Sequence, residues 1–302
     1  MMLRAIHVGD LHYWRIPLNP LAYVGKRLLG VGNLVVGGRA RKFQQRLMPV
    51  LFSRLEETAP DWFLFSGDFT STAHSGEFRA ARRALEALNS KLKCGIRVVP
   101  GNHDCYLGRA NDAMVFCEAM GTHLSPVEHV QGDWLDPGLR LISCNATTSN
   151  GMGSHGTISR ARLDQLAAEL ELARDAESIW FLCHFPQEHP SGVLRRERGP
   201  QLIGGEQLLP LFRSFGKPIF WLHGHHHYRW VYRSPTAENL VYVNAGAPTL
   251  AHGGRTPDLG FHELQYEDGA TRVITHWRGE SRDWESSPVR LPSPGTAVLL
   301  QR

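Results

Sequence analysis

The sequence predicts a layered α/β or α+β fold built on mixed β-sheets. Three observations carry that prediction: strand-like runs alternate with helical patterns early in the chain, strands dominate late, and Gly-, Pro-, Asp- or His-rich turns follow the strands. Alternation favours crossover connections and parallel pairing, whereas consecutive strands favour antiparallel hairpins. A single all-parallel, doubly wound sheet is therefore the poorer fit.

Residues 3–8 (LRAIHV) open the chain as a strand, and helical spacing of apolar residues predicts a helix over 40–58. Strand 62–66 (WFLFS), helix 77–92, strand 96–99 (IRVV) and helix 111–119 follow. Strand 139–144 (LRLISC) precedes helix 159–174, where Ser159 offers an N-cap hydroxyl. Next come strand 178–183 (SIWFLC), helix 205–215, strand 218–223 (PIFWLH) and strand 240–243. Strands 260–266 and 271–277 are joined by Glu267, Asp268 and Gly269, a turn signal that makes them a hairpin. From Gly279 the chain carries Pro288, Pro292 and Pro294 with little periodicity, so 279–302 reads as an irregular tail.

With 302 residues, 42% of them hydrophobic and 21% charged, the chain can bury a full core, which excludes a disordered or fibrous protein. Its formal net charge of +4 does not by itself argue for nucleic acid, but the charge is unevenly spread. Seven basic residues, Arg15, Lys26, Arg27, Arg39, Arg41, Lys42 and Arg46, fall within 13–46 without one acidic residue, so an anionic partner is to be sought there. The five cysteines are odd in number and lack metal-site spacing, which fits small buried thiols in a reducing compartment. MMLRAIHVGDLH at the N-terminus lacks the apolar run of a secretory signal, and the longest apolar stretch, LLGVGNLVV, is about half a membrane span. A cytoplasmic protein is expected, with attachment to a membrane surface left open.

Five clusters of metal-competent side chains each fall where a strand ends and a loop begins. Asp10 and His12 follow the first strand as D-L-H, and Gly67 and Asp68 close WFLFS. Gly101, Asn102, His103 and Asp104 follow IRVVP, His184 follows IWFLC, and Gly224, His225, His226 and His227 follow IFWLH. Side chains delivered from several strand ends can converge above a sheet edge, and a glycine directly before Asp68, Asn102 and His225 suits close backbone approach. Two carboxylates, an amide oxygen and several imidazoles suit borderline divalent ions, Mn²⁺ foremost, with Fe²⁺, Zn²⁺ or Co²⁺ also compatible.

The ordered set D-x-H, G-D, G-N-H-D, isolated H and G-H-x-H resembles the calcineurin-like metallophosphoesterase family, and N-A-G-A-P at 244–248 resembles that family's closing strand and loop. The resemblance implies a four-layer αββα sandwich, two mixed β-sheets flanked by helices, forming one catalytic domain over 1–278 with a lid-like insertion at about 13–46. It also implies a two-metal centre in which Asp10, His12 and His227 hold one ion, Asn102, His184 and His225 hold the other, and Asp68 bridges them. His103 would sit beside the scissile phosphate, oriented by Asp104, with a pKa near working pH for protonating the leaving oxygen. Two dications roughly 3.5–4 Å apart turn a shared water into a bridging hydroxide for in-line attack on phosphorus, so the expected enzyme is a metal-dependent phosphoesterase, phosphodiesterase or pyrophosphatase.

These motifs define phosphoester or phosphoanhydride hydrolysis without naming the ester. The long stretch between the first two clusters, 13–60, sets Leu21, Tyr23, Val24, Leu28, Leu29, Val31, Leu34, Val35 and Val36 among the basic residues. Apolar side chains beside Lys and Arg suit an anionic membrane face or an acyl chain beside a phosphate; core contacts beneath a lid are the plainer reading. K-R-L-L-G-x-x-N, from Lys26 to Asn33, resembles bacterial metallophosphoesterases related to the UDP-diacylglucosamine pyrophosphatases of lipid A synthesis. That resemblance implies hydrolysis of a nucleotide diphospho-lipid such as UDP-2,3-diacylglucosamine at the inner face of the cytoplasmic membrane. Lys26, Arg27, Arg195 and Arg196 are the candidate contacts to substrate phosphate. The alternatives are a soluble cyclic-nucleotide or nucleotide phosphodiesterase and, in a different class, a non-catalytic membrane- or protein-binding module. Nucleic acid is not expected, because the basic residues lack an aromatic platform or a duplex-reading motif.

Other residues near the motifs need no function. His7 reads as a core histidine within a strand, His223 and His226 alternate away from the neighbouring ligands, and His155 and His189 lie in loops. Cys183 adjoins His184 and is expected on the opposite face.

Overall fold

The computed structural model describes residues 1–16, 30, 32, 36–105, 112–148, 153–192, 201–251, 259–278 and 283–300. In chain order the elements are β1 (Leu3–Val8), α1 (Arg39–Lys42), α2 (Met48–Thr58), β2 (Trp62–Phe65), α3 (Ser75–Leu92), β3 (Gly95–Val98), α4 (Asp112–Met120), β4 (Val130–Asp136) and β5 (Leu139–Cys144). They continue as β6 (Gly156–Thr157), α5 (Arg160–Leu172), β7 (Ser178–Leu182), β8 (Leu202–Ile203), α6 (Leu208–Phe215), β9 (Ile219–His223) and β10 (Arg229–Arg233). The chain closes with β11 (Leu240–Ala245), β12 (Leu259–Glu267), β13 (Ala270–Arg278), β14 (Trp284–Pro288) and β15 (Ala297–Leu299).

One sheet has the order β14-β13-β12-β1-β2-β3, the other β15-β10-β11-β9-β7-β5-β4, and β6-β8 is a short ribbon. In the first, β1, β2 and β3 are parallel neighbours while β12, β13 and β14 add antiparallel pairs. In the second, β5, β7, β9 and β11 are parallel, with β4, β10 and β15 antiparallel toward the margins. Both sheets are mixed, as the element order predicts.

Strand alternation turns these sheets into layers. Ile6, Val8, Phe63 and Phe65 pack with Leu51 and Leu55 of α2 and Leu85 and Leu88 of α3, whereas Ala5 and Leu64 face the second sheet. There, Ile179, Phe181, Ile219 and Trp221 meet Leu166 of α5 and Phe212 of α6, while Trp180, Leu182, Phe220 and Leu222 turn inward. The order helices, sheet, sheet, helices is the αββα sandwich.

Two expectations need correction. The helix expected over 40–58 divides, because Phe43 turns extended (φ −85°, ψ 97°) and bridges to Leu250, ending α1 at Lys42. A 3₁₀ turn at Gln45–Leu47 leads into α2, which carries Pro49 in its first turn, where the missing N–H is harmless. The tail expected to be irregular instead supplies strands, β14 on β13 and β15 on β10. Like β4, these are marginal strands with one solvated edge, so WESSP and VQGDWLD show no apolar alternation to read. β10, bounded by Arg229 and Arg233, and the two-residue strands β6 and β8 also lie beyond what the pattern predicts.

Because β1, β2 and β3 are parallel, the loops after them leave one edge together, and the loops after β7 and β9 do the same. All five metal-competent clusters occupy those loops. Among the described residues no helix is long and apolar enough to cross a membrane. Lys26, Arg27, Arg195, Arg196 and the apolar run from Leu21 to Val35 lie outside the described residues.

Candidate metal centre

Backbone geometry aims the loops inward. Asp10 (φ 51°), His12 (47°), Asp68 (55°), His225 (74°) and His227 (62°) all adopt left-handed backbone, which costs about 1–2 kcal/mol for each such residue. Inter-loop hydrogen bonds hold them there: Asp10 N donates to Gly67 O and His12 N to Asp68 O, both at 2.9 Å, and Gly224 N donates to His184 O at 3.2 Å. The glycines have a steric reason. A Cβ on Gly101 would run into the Asp68 carboxylate, and one on Gly224 into that of Asp10.

Two groups of ligand atoms result. In the first, atoms of Asp10, His12, Asp68 and His227 lie within 4.8 Å of one another. His12 Nε2 is 3.0 Å from His227 Nε2, which is 3.3 Å from Asp10 Oδ1. In the second, Asn102 Oδ1 lies 3.3 Å from His184 Nε2 and 3.0 Å from His225 Nδ1. Asp68 Oδ2 is 3.5 Å from His12 Nε2 and 3.5 Å from His184 Nε2, so one carboxylate oxygen stands between the groups.

The outward contacts fix the tautomers. His12 Nδ1 donates to the Thr70 carbonyl at 3.2 Å, His184 Nδ1 to the Ser66 carbonyl at 2.6 Å, and His225 Nε2 to Gln201 Oε1 at 2.7 Å. Each ring therefore turns a lone pair toward oxygens that are themselves acceptors. Burial keeps the rings neutral: with the charge of Arg39 it pushes His12 down to about 3, and it lowers His184 and His225 as well. Burial also drives the Asp68 carboxyl well up, reinforced by Asp10; at Asp10 the same burial is outweighed by the neighbouring His12 and His227, which hold it well down. Converging lone pairs beside two buried carboxylates are what a divalent cation compensates. The residues fit such ions.

His103 differs from expectation in its partners and its basicity. Its Nδ1 donates to the Ser71 carbonyl at 2.7 Å, and its Nε2 accepts from Arg39 Nη2 at 3.1 Å. Burial, with the charge of Arg39, holds its basicity well below the ordinary range rather than near working pH. Asp104 does not orient the ring. Its carboxylate instead accepts from the backbone N–H of Phe69, Thr70 and Gly101 and from Thr70 Oγ1, tying the loop after β2 to the loop after β3; burial raises it to about 7.

Sequence reasoning missed Gln201 and the entry of Arg39 into the site. No motif surrounds Gln201, and Arg39 is one of seven basic residues that spacing cannot tell apart. The remaining histidines fall as expected in part. His7 is buried and bonds Ser66 Oγ at 3.0 Å, and His223 is buried with Nδ1 on the Gly224 carbonyl. His155 lines a recess beside Asn102 with Thr147 and Thr148, and His189 packs on His226. Cys183 is buried in the core between the second sheet and its helices.

Residues 3–229 match the family model of calcineurin-like phosphoesterases. The chain belongs to this family. No curated protein matches it. Among solved structures, this chain is similar to GAP50, the anchor in the inner membrane complex of Plasmodium, at 11% identity and a TM-score of 0.49, covering 97% of this chain and 90% of that one. It is also similar to a double mutant of Vps29 from Entamoeba histolytica (11% identity, TM-score 0.41, covering 95% and 100%) and to Vps29 of Chaetomium thermophilum (14%, 0.39, covering 97% and 100%). Family membership and the donor group together support divalent metal ions as cofactor.

Proposed function

We propose that this phosphoesterase hydrolyses a phosphoester or pyrophosphate bond at a pair of divalent ions. The observation that carries the reading is the single Asp68 oxygen poised between His12 and His184. Asp10, His12 and His227 would hold one ion and Asn102, His184 and His225 the other, with Asp68 shared; Mn²⁺ is the proposed metal, and Fe²⁺, Zn²⁺ or Co²⁺ suit the same donors. Such ions, when bound, acidify a shared water and neutralise charge on the phosphoryl oxygens.

The chain's own part is positioning. Thr70, Ser66 and Gln201 fix the imidazoles so that their lone pairs converge without further rearrangement. Ser71 keeps the His103 proton on Nδ1, so Nε2 faces the site as an acceptor. Burial of Asp10, His12, Asp68 and His184 excludes bulk water from the floor of the site.

For substrate, the reading is a nucleotide diphospho-lipid such as UDP-2,3-diacylglucosamine, met at an anionic membrane face. Its support is the insertion, where Val36 is 90% exposed and the basic residues Arg41 and Lys42 are also exposed. Apolar and basic side chains presented together suit a headgroup surface. The test sets UDP-2,3-diacylglucosamine beside an aryl phosphodiester, with Mn²⁺ and with the metal chelated. Metal-dependent UMP release supports the whole reading, and activity on the aryl ester alone removes the lipid. Asp68→Ala and Asn102→Ala should each lower turnover at least about a hundredfold. If metal-loaded protein hydrolyses no monoester, diester or pyrophosphate, the enzyme reading falls to the binding module.

A further inference from the structure

The insertion after the first metal cluster ends inside the site. Arg39 opens α1, and its Nη2 lies 3.1 Å from His103 Nε2 and 3.4 and 3.5 Å from the two ring nitrogens of His12. This placement is built into the fold. Phe43, one turn on, is 2% exposed, and its ring packs 4.5 Å from His12 and 5.6 Å from His227 between centroids, with the Arg39 guanidinium 5.3 Å over it. Trp14 Nε1 donates to the Phe43 carbonyl at 3.0 Å. Gln44 N donates to Thr249 O and Ala251 N to Lys42 O, both at 2.9 Å, so both sides of Phe43 are tied to the segment following β11.

The guanidinium sets a fixed positive charge beside His12 and His103, at the edge of the donor group. A charge in that position complements an anion rich in oxygen. A phosphoryl group is such an anion, and the planar fork of an arginine matches two of its oxygens.

The geometry points to Arg39 as a residue that grips a nonbridging phosphoryl oxygen of the substrate from the side of His12 and His103. His103 Nε2, accepting from Nη2, positions the fork. The insertion thus supplies part of the binding machinery. This inference rests on the hydrolase reading above.

The test measures inorganic phosphate binding to Mn²⁺-loaded protein by titration calorimetry, with metal content and the hydrolysis of an aryl phosphodiester, for wild type, Arg39→Ala and Arg39→Lys. Expected are unchanged metal content in all three, phosphate binding weakened about 10- to 100-fold in Arg39→Ala with a parallel rise in KM, and a smaller loss in Arg39→Lys. Equal phosphate affinity in Arg39→Ala overturns the inference and leaves the hydrolase standing. Loss of metal from that variant also overturns it, because Arg39 would then shape the metal site. A wild type that loads no metal or hydrolyses nothing overturns the hydrolase reading and this inference together.

Discussion

At Gly101 a methyl group would overlap the Asp68 carboxylate, and at Gly224 one would overlap that of Asp10. Gly101→Ala and Gly224→Ala should therefore weaken metal binding about 10- to 100-fold in a metal titration, an effect like that of losing an outer partner of a ligand. His103→Ala should leave metal content intact while slowing turnover; metal loss on elemental analysis would make the ring a ligand. Far from the centre, Glu263 accepts from Arg4 Nε at 2.7 Å and His276 Nε2 at 2.8 Å. Burial pushes its carboxyl up, but the bonds from His276, Arg4 and Gln265 outweigh burial and hold it at about 2, against an ordinary 4.5. A carboxyl depressed in the folded state contributes stability that is complete above the unfolded value and is lost as pH falls from 4.5 toward 2. Glu263→Gln should flatten acid unfolding within that window, followed by circular dichroism, and an unchanged acid transition would count against the assignment. Legibility at this scale was uneven: ligand types stood in the motifs, while Gln201 lies in a loop without any motif and Ser71 holds His103 through a backbone carbonyl, which side-chain identity does not announce.

Helix α3 links the outer layer to the site through its first turn. His74 and Glu77 form a capping box there, and the Glu77 carboxylate also accepts from the backbone N–H of Arg15, Ser71 and Thr72. Ser71 in turn holds His103, and Arg15 begins the insertion. Glu77→Ala should lower stability by about 2–4 kcal/mol in denaturant unfolding, because several buried donors lose their partner, and should slow turnover without contacting substrate. Full activity in a destabilised variant would separate the cap from the site. The central strands were readable because apolar residues on both faces leave β-rich runs such as IWFL and IFWL. Breakage of the helix expected over 40–58 was not, since Phe43 turns extended to meet Leu250, which lies about two hundred residues away in the chain.

Across the whole molecule, the C-terminal strands cap both sheets. β14 covers β13 and β15 covers β10, with Trp284 packed on Phe261 at 5.8 Å between centroids. Deleting 279–302 would bare two strand edges, so the shortened protein should melt earlier and associate, as read by light scattering during size-exclusion chromatography. A monomer of unchanged melting temperature would show those strands to be dispensable. The donor set and its position after successive strands are legible in the chain, because ligand chemistry resides in side-chain identity and strand ends are local features. The convergence of those donors, the inward lone pairs and the choice of Arg39 from seven basic residues belong to the folded molecule. Each depends on contacts between segments far apart in sequence, such as His184 with Ser66 and His12 with His227, which local pattern does not encode.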